Sequence, residues 1–368
     1  MDSLFDEPLE EEELCRVHNN KILFSKPFAL QSELEKEASL QYILNNVFTG
    51  NFWYNYLNEE FSQEIRKLDM FNPQDILHGT TISRNNTCSP VASSFHPHIL
   101  EINNGKYNFP NETLEDTVHL KKCISNYLKI TSGAISCSDA IHVLRTARKT
   151  QMVSNFRPTV AKLIYETYGN NGSVLDPCMG YGRRLLGAWC SNISSYTGID
   201  PCTKTFDGNI KLQNRLIELT SYKGSITEII PRPTIILHKL PFEDFTTNEK
   251  FDLVFTSPPY FNTEKYSNED TQSWKRYPTY YVWVDKFLEV LIHNAYTFLK
   301  LGGVFAINMK DDPLAKYNMW RDVMRLSKKY FGEPETILYM EMPALPLIKK
   351  NCTNSIKGEP IGIFRKKL

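Results

Sequence analysis

From about residue 155 onward the chain alternates short apolar runs with segments of helical period, and this alternation constrains its fold more than any other feature. Apolar runs at 173–176, 196–200, 234–238, 252–256 and 304–309 are short enough for buried strands. Between them the spacing predicts helices. Pro158 suits the first turn of one, with Val160, Leu163 and Ile164 on one side and Gly169 expected as its left-handed cap. A second is expected over 204–219. A third, over 281–299, places Val284, Phe287, Leu288, Leu291, Ile292, Ala295 and Phe298 at intervals of three and four. A helix over 318–330 and β segments near 335–340 and 361–365 complete the pattern. Strands separated by helices in this order give an open, doubly wound, mainly parallel sheet. Such sheets bind ligands beyond the carboxyl ends of their strands, where the strand order switches.

The first 150 residues have a different texture. An acidic lead is followed by the aromatic stretch GNFWYNYLNEEF and an Asn/Ser/Thr/Pro-rich tract over 72–111. Helical spacing then returns at Leu114, Val118, Leu120, Ile124 and Leu128, and again at Ala140, Ile141, Leu144 and Ala147. A mostly helical module over 1–150, with a long loop or some short strands, is expected, and the sheet domain over 151–368. The 42 basic and 42 acidic residues cancel, which excludes a small basic protein that coats nucleic acid by charge alone. Eight scattered cysteines without CxxC, and eight histidines without HExxH spacing, give no metal site and read as reduced thiols inside a cell. The lead MDSLFDEPLEEEELC is acidic where a signal peptide is basic, and no apolar run approaches the roughly 20 residues needed to span a bilayer. A cytoplasmic or nucleoid-associated protein without a membrane partner is expected.

The strand exits carry the chemistry. In SVLDPCMGYGRRLLGAW, Asp176 and Pro177 end a strand, and Gly180 and Gly182 turn the chain into a helix, letting backbone amides approach a ligand. No third glycine completes a dinucleotide fingerprint, and no GKS or GKT completes a phosphate loop. Asp200 ends the next strand, 24 residues after Asp176, where a carboxylate can accept the two hydroxyls of a ribose. The pair points to a nucleoside-bearing cofactor without a diphosphate. Arg183 and Arg184 either face a phosphate or cap the fold.

In DLVFTSPPYFN, the strand ends in Thr256-Ser257-Pro258-Pro259-Tyr260. Two consecutive prolines fix the backbone and remove two N–H donors, leaving a rigid edge of carbonyl oxygens beside an aromatic ring. That edge suits an exocyclic NH₂ on a flat base. Ser257 Oγ and the Pro258 carbonyl accept its hydrogens, and Tyr260 stacks on the ring. No His, Cys or Lys lies within TSPPYF, so direct transfer rather than covalent attack is expected.

DPCMGYG resembles the DPxxGxG motif of S-adenosylmethionine-dependent amino methyltransferases, and TSPPY resembles their (D/N/S)PPY motif in a form common among enzymes acting on cytosine N4. SNFRPTVAKLI is similar to the segment that family uses near the methionine part of its cofactor. The resemblance implies a Rossmann-like class I methyltransferase fold with S-adenosylmethionine as cofactor. It places Phe156, Arg157, Pro158 and Thr159 beside that cofactor, and Glu243 or Asp244 of LPFEDF near its adenine. It implies methylation of cytosine N4 or adenine N6 in DNA at specific sites. RNA or tRNA base methylation, protein glutamine methylation and a non-catalytic nucleic-acid-binding scaffold are the alternatives. Neither the interval between the two motifs nor the loop 262–283 has room for a recognition insert, which leaves target selection to the first 150 residues. Lys265, Tyr266, Trp274, Lys275, Arg276 and Tyr277 of that loop either grip nucleic acid beside the base or pin a lid by packing. Arg145, Arg148 and Lys149 either line the opposite wall or form a solvated helix face.

Overall fold

A computed structural model of the chain describes residues 15–18, 21–48, 56, 58–102, 107–131, 134–147, 150, 152–153, 155–220, 231–261, 265–311, 317–342 and 358–367. The acidic lead, nearly all of the aromatic stretch before residue 58, and Arg148 and Lys149 lie outside the described residues. Packing divides the chain into two compact units, Met1–Asn55 with Pro97–Val153, and Tyr56–His96 with Ser154–Leu368.

The first unit is mostly helical, with helices Glu33–Val47, Pro110–Glu115, Thr117–Ile130 and Cys137–Thr146, and a small antiparallel sheet of Cys15–His18, Lys21–Phe24 and Ala134–Ser136. Its core gathers Ile22, Phe28, Ile43, Val47, Leu120, Ile124, Leu128, Ile135 and Leu144. Val118, expected on the buried face, is 66% exposed: it is the second residue of the helix that Asp116 caps, on the side away from Leu120 and Ile124.

The second unit runs α1 (Asn58–Asp69), β1 (Leu77–His78), β2 (Thr81–Ile82), α2 (Ser89–Ser94), α3 (Pro158–Tyr168), β3 (Ser173–Asp176), α4 (Arg183–Trp189), β4 (Ser195–Ile199), α5 (Thr203–Thr220), β5 (Thr234–His238) and β6 (Phe251–Thr256). It continues through α6 (Glu289–Phe298), β7 (Leu299–Asn308), α7 (Met319–Phe331), β8 (Thr336–Glu341) and β9 (Gly358–Arg365). Among the described residues one sheet has the order β1-β2-β8-β9-β7-β6-β3-β4-β5. The run β7-β6-β3-β4-β5 is parallel, and β9 joins β7 and β8 antiparallel. This is the doubly wound, mainly parallel Rossmann-like sheet expected from the alternation. The order proceeds outward from β3 to β5 and then returns to β6 on the other side of β3, so the switch falls between the two strands that end in DPCMGYG and TSPPY.

Alternating side chains of the central strands feed two cores. Val174, Leu253, Phe255, Val304 and Ile363 face one side with helices α1, α3 and α4. Leu175, Val254, Phe305, Ile307 and Phe364 face the other, with α6 and α7. Burial on both faces explains why these strands read as unbroken apolar runs. No described helix is long and apolar enough to cross a membrane.

Two further sequence expectations differ from the structure. The boundary at 150 separates texture rather than packing, because Tyr56–His96 packs into the sheet unit. Strand β2 extends the sheet beside β8, pairing Thr81 with Tyr339. The buried Lys162 of α3 ties α1 down by donating to the carbonyls of Leu68, Asp69 and Phe71 at 2.9, 2.8 and 2.9 Å. Arg232 adds a two-point pair to Asp69, at 2.7 Å on each oxygen. Gly169 is right-handed at φ −79°, not left-handed. Asn170 and Asn171, at φ 50° and 52°, take the left-handed turn instead. Gly169 is needed for closeness, since a Cβ there would lie 2.5 Å from the Tyr165 carbonyl oxygen and 2.9 Å from Ile193.

Candidate active site

At the switch point an open cavity is lined by residues from both motifs. Its first wall grows from the turn after β3. Gly180 is left-handed at φ 57°, and a Cβ there would meet the Cys178 carbonyl oxygen at an ordinary contact of 3.9 Å. Its N–H donates to Asp200 Oδ2 at 3.1 Å, and its carbonyl accepts from Asn209 Nδ2 at 2.7 Å. Asp200 Oδ1 accepts from the Cys202 N–H at 2.9 Å. Burial pushes the Asp200 carboxyl up to about 6 despite those two backbone donors. Glu243, also on the cavity, is likewise raised by burial, although Tyr277 Oη donates to it at 3.0 Å and Arg276 lies 3.1 Å away.

The loop after the second motif lies over this wall. Glu269 caps α5 by accepting from the Thr203 N–H at 3.1 and 3.2 Å and from its hydroxyl at 3.0 Å. Gln272 follows on the cavity, 5% exposed, and its Nε2 has no acceptor among the described residues. Trp274 is held inside the loop, donating to the Ser267 carbonyl at 3.2 Å with Lys265 Nζ 4.9 Å from its ring centre. Arg276 and Tyr277 are engaged with Asp244 and Glu243. Of the loop's aromatic residues Tyr266 faces the cavity.

The second wall is the edge Ser257-Pro258-Pro259-Tyr260 at the end of β6. Phe261 takes φ 43°, unusual for a bulky residue, and is held there by ring contacts with Tyr280, Trp283 and Tyr317 at 5.5, 5.8 and 5.6 Å. Behind the edge stand two residues that sequence reasoning missed. Asn308, at the end of β7 and 1% exposed, accepts at Oδ1 from Ser257 Oγ at 3.0 Å and Tyr260 Oη at 3.3 Å. Glu359, on β9, accepts the shorter hydrogen bond of Tyr260 Oη through Oε1. The one trace of Asn308 in the sequence is a polar residue closing the apolar run VFAIN; Glu359 gives only an acid before Pro360.

The cavity therefore unites Phe156, Arg157, Pro177, Gly180, Asp200, Glu243, Ser257, Pro258, Pro259 and Tyr260, and leaves five expected residues off its lining. Asp176 is fully buried, with Arg184 Nε at 2.7 Å and Tyr196 Oη at 2.8 Å on its Oδ2. As the last strand residue it points into the fold and anchors the turn from beneath. Gly182 starts α4 at φ 74°, where a Cβ would lie 2.8 Å from Asn209 and Leu212. Pro158 opens α3, and Thr159 donates to the Asn85 carbonyl at 3.0 Å. Asp244 is exposed and pairs with Arg276 at 2.8 and 3.1 Å. Arg183 is buried and donates to the Asn155 carbonyl and Ser93 Oγ, and Arg184 is spent on Asp176, so both arginines serve the fold rather than a phosphate.

Residues 251–367 match the family model for DNA methylases, so the chain carries a methyltransferase domain of that family in its C-terminal part. No curated protein matches the chain. Among solved structures it is similar to a putative class I S-adenosylmethionine-dependent methyltransferase from Listeria monocytogenes, at 12% identity and TM-score 0.41 over 85% of this chain and 89% of that one. It is also similar to the N-methyltransferase NodS from Bradyrhizobium japonicum in complex with S-adenosyl-L-homocysteine, at 13% identity and TM-score 0.35 over 56% and 84% of the two chains. A third likeness is the 16S rRNA N2 G1207 methyltransferase of T. thermophilus, at 16% identity and TM-score 0.34 over 58% and 44%.

Proposed function

We propose that the protein transfers a methyl group from S-adenosylmethionine to the exocyclic amino group of cytosine (N4) or adenine (N6) in DNA. One observation carries this reading: Ser257 and Tyr260 line the same cavity as Gly180 and Asp200. The first wall fits an adenosyl cofactor. Asp200 and Glu243 are carboxyls raised by burial, which hydroxyl or amino donors relieve, and the unpaired Gln272 Nε2 offers a donor to a ring nitrogen. S-adenosylmethionine, when bound, supplies an electrophilic methyl group on sulfur.

The chain's own residues do the rest. Ser257 Oγ and the Pro258 carbonyl accept the two amino hydrogens, which favours a pyramidal nitrogen with an available lone pair, while Tyr260 holds the ring plane. A base in a duplex reaches this edge by flipping out, at a cost of a few kcal/mol. The first unit selects the target, since the described chain between Asp176 and Ser257 is largely taken up by α4, β4, α5 and β5. Binding to nucleic acid within the cytoplasm or nucleoid follows from this reading.

Mass spectrometry of nucleosides from host DNA and RNA, with and without expression, tests it. N4-methylcytosine or N6-methyladenine in DNA is the expected outcome, lost in Ser257→Ala. A methylated amino base confined to RNA shifts the substrate to RNA, and no new methylated nucleoside in either overturns the proposal.

A further inference from the structure

Hydroxyl groups are ambivalent: each serine or tyrosine OH can donate or accept. The two that face the second wall are not. Asn308 Nδ2 donates to the Pro360 carbonyl at 2.9 Å, and a carbonyl only accepts, so this bond fixes which end of the amide is which. Oδ1 is then turned toward Ser257 and Tyr260. It too only accepts, so the Ser257 proton is committed to Asn308. Tyr260 Oη lies between two acceptors, Asn308 Oδ1 and Glu359 Oε1, and its single proton goes to the nearer, Glu359. Lys310 Nζ, 3.6 Å from Glu359 Oε2, holds the other end of that carboxylate.

We infer that Asn308 is a positioning residue that turns Ser257 into an acceptor, and so makes the site accept amino bases and reject their oxo counterparts, while Glu359 takes the Tyr260 proton. The inference rests on the base-binding reading of this wall and deepens it. An NH₂ meets a lone pair of Ser257 beside the Pro258 carbonyl. A keto oxygen at the same position meets lone pair against lone pair, and the Ser257 hydroxyl cannot turn without breaking its bond to Asn308. Sites whose buried polar groups are committed in this way reject the unmatched analogue far more strongly than apolar pockets do.

Selectivity is read by binding, without turnover. Cytidine against uridine, and adenosine against inosine, are titrated by calorimetry into the full chain. The parent is expected to favour the amino member of at least one pair by about tenfold or more. In Glu359→Gln, Lys310 draws the amide oxygen and leaves Nε2 facing Tyr260 Oη, whose proton then turns to Asn308 Oδ1, so Ser257 stays as it was. Asn308→Ala frees the proton of Ser257. Asn308→Ala should therefore bring the amino-to-oxo ratio close to one with fold and cofactor affinity kept, whereas Glu359→Gln should keep the parent ratio. A parent that binds both members equally overturns the inference while leaving the site reading intact. So does a parent ratio retained within about threefold by folded Asn308→Ala, or one lost in folded Glu359→Gln. Failure to bind any of the four nucleosides, together with no methylated nucleoside in cells, instead removes the base-site reading on which the inference stands.

Discussion

The two walls of the cavity solve opposite problems. On the cofactor wall, Asp200 and Glu243 are carboxyls that burial has made uncomfortable, and their local hydrogen bonds do not offset the lost solvation. On the base wall, Ser257, Tyr260, Asn308 and Glu359 form a network whose donors already have acceptors. On the proposed reading a ligand completes the first wall, whereas the hydrogen bonds of the second are complete beforehand and can only be matched. The first should therefore respond to pH and trade stability for affinity. The second should respond to changes in hydrogen-bond direction, as the nucleoside ratios above test.

The largest expected effect lies beneath the cofactor wall. Asp176 and Arg184 are 0% and 5% exposed and joined at 2.7 Å, with Arg184 also donating to the Cys178 carbonyl and Tyr196 to the carboxylate. Asp176→Ala leaves a buried guanidinium unpaired and should cost about 3–5 kcal/mol in urea unfolding. Changing Arg184 to leucine in the same chain should recover much of that, since the desolvation goes with the charge. A loss below about 1 kcal/mol would mean that the turn is held by packing alone. The DPCMGYG turn would then be as self-sufficient as the base wall, and the contrast between the walls would fail.

This pair also marks where sequence reasoning reaches its limit. Gly180, Asp200 and the edge Ser257–Tyr260 were legible because each stands at a strand exit, and parallel strands from one sheet bring their exits together. Asp176 stands at such an exit too. Whether the last strand residue points outward or into the fold depends on its neighbours Arg184 and Tyr196, which a linear pattern does not pair. Asn308 and Glu359 were invisible for a longer-range reason. Their closeness comes from β9 running antiparallel beside β7, with Asn308 opposite Ile361, a pairing that no local period encodes. The same holds for Tyr56–His96: the polar tract over 72–111 reads as a long loop or short strands of the first module, and the pairing of Thr81 with Tyr339 joins its strands to the sheet unit instead.

The intermediate effect concerns Asp200. Its folded value of about 6 lies above the ordinary carboxyl value of 3.8, so the folded state binds more protons than the unfolded state between those limits. The stability tied to this group is fully present below pH 3.8 and is lost as pH rises through about 6. Asp200→Asn should therefore stabilise the ligand-free protein above that pH by roughly 1–3 kcal/mol. It should also weaken S-adenosylmethionine, whose ribose hydroxyls prefer the ionised acceptor, by about tenfold. In the parent, affinity should rise with pH through about 6 and level off, and the asparagine variant should lose this dependence. Calorimetric titrations and melting curves across pH 5–8 check both signs. An affinity loss without the gain in stability would place Asp200 with the self-satisfied groups of the base wall.

The smallest effect separates two neighbours on one turn. Glu243 is held toward the cavity by Tyr277, with its side chain 8% exposed, whereas Asp244 points outward to Arg276 with its side chain 50% exposed. An exposed pair of this kind contributes about 0–1 kcal/mol and is screened by salt. Asp244→Asn should leave S-adenosylmethionine affinity within about twofold and stability within roughly 0.5 kcal/mol, with even that difference vanishing in 0.5 M salt. Glu243→Gln, one residue earlier, should raise stability modestly and lower affinity, as at Asp200, because it removes a desolvated charge that a ligand donor would have met. Calorimetry on the two single variants makes the comparison. Equal affinity losses would show that the cofactor wall extends around the turn to its solvent side, and would make the 276–277 segment part of that wall rather than a strap behind it.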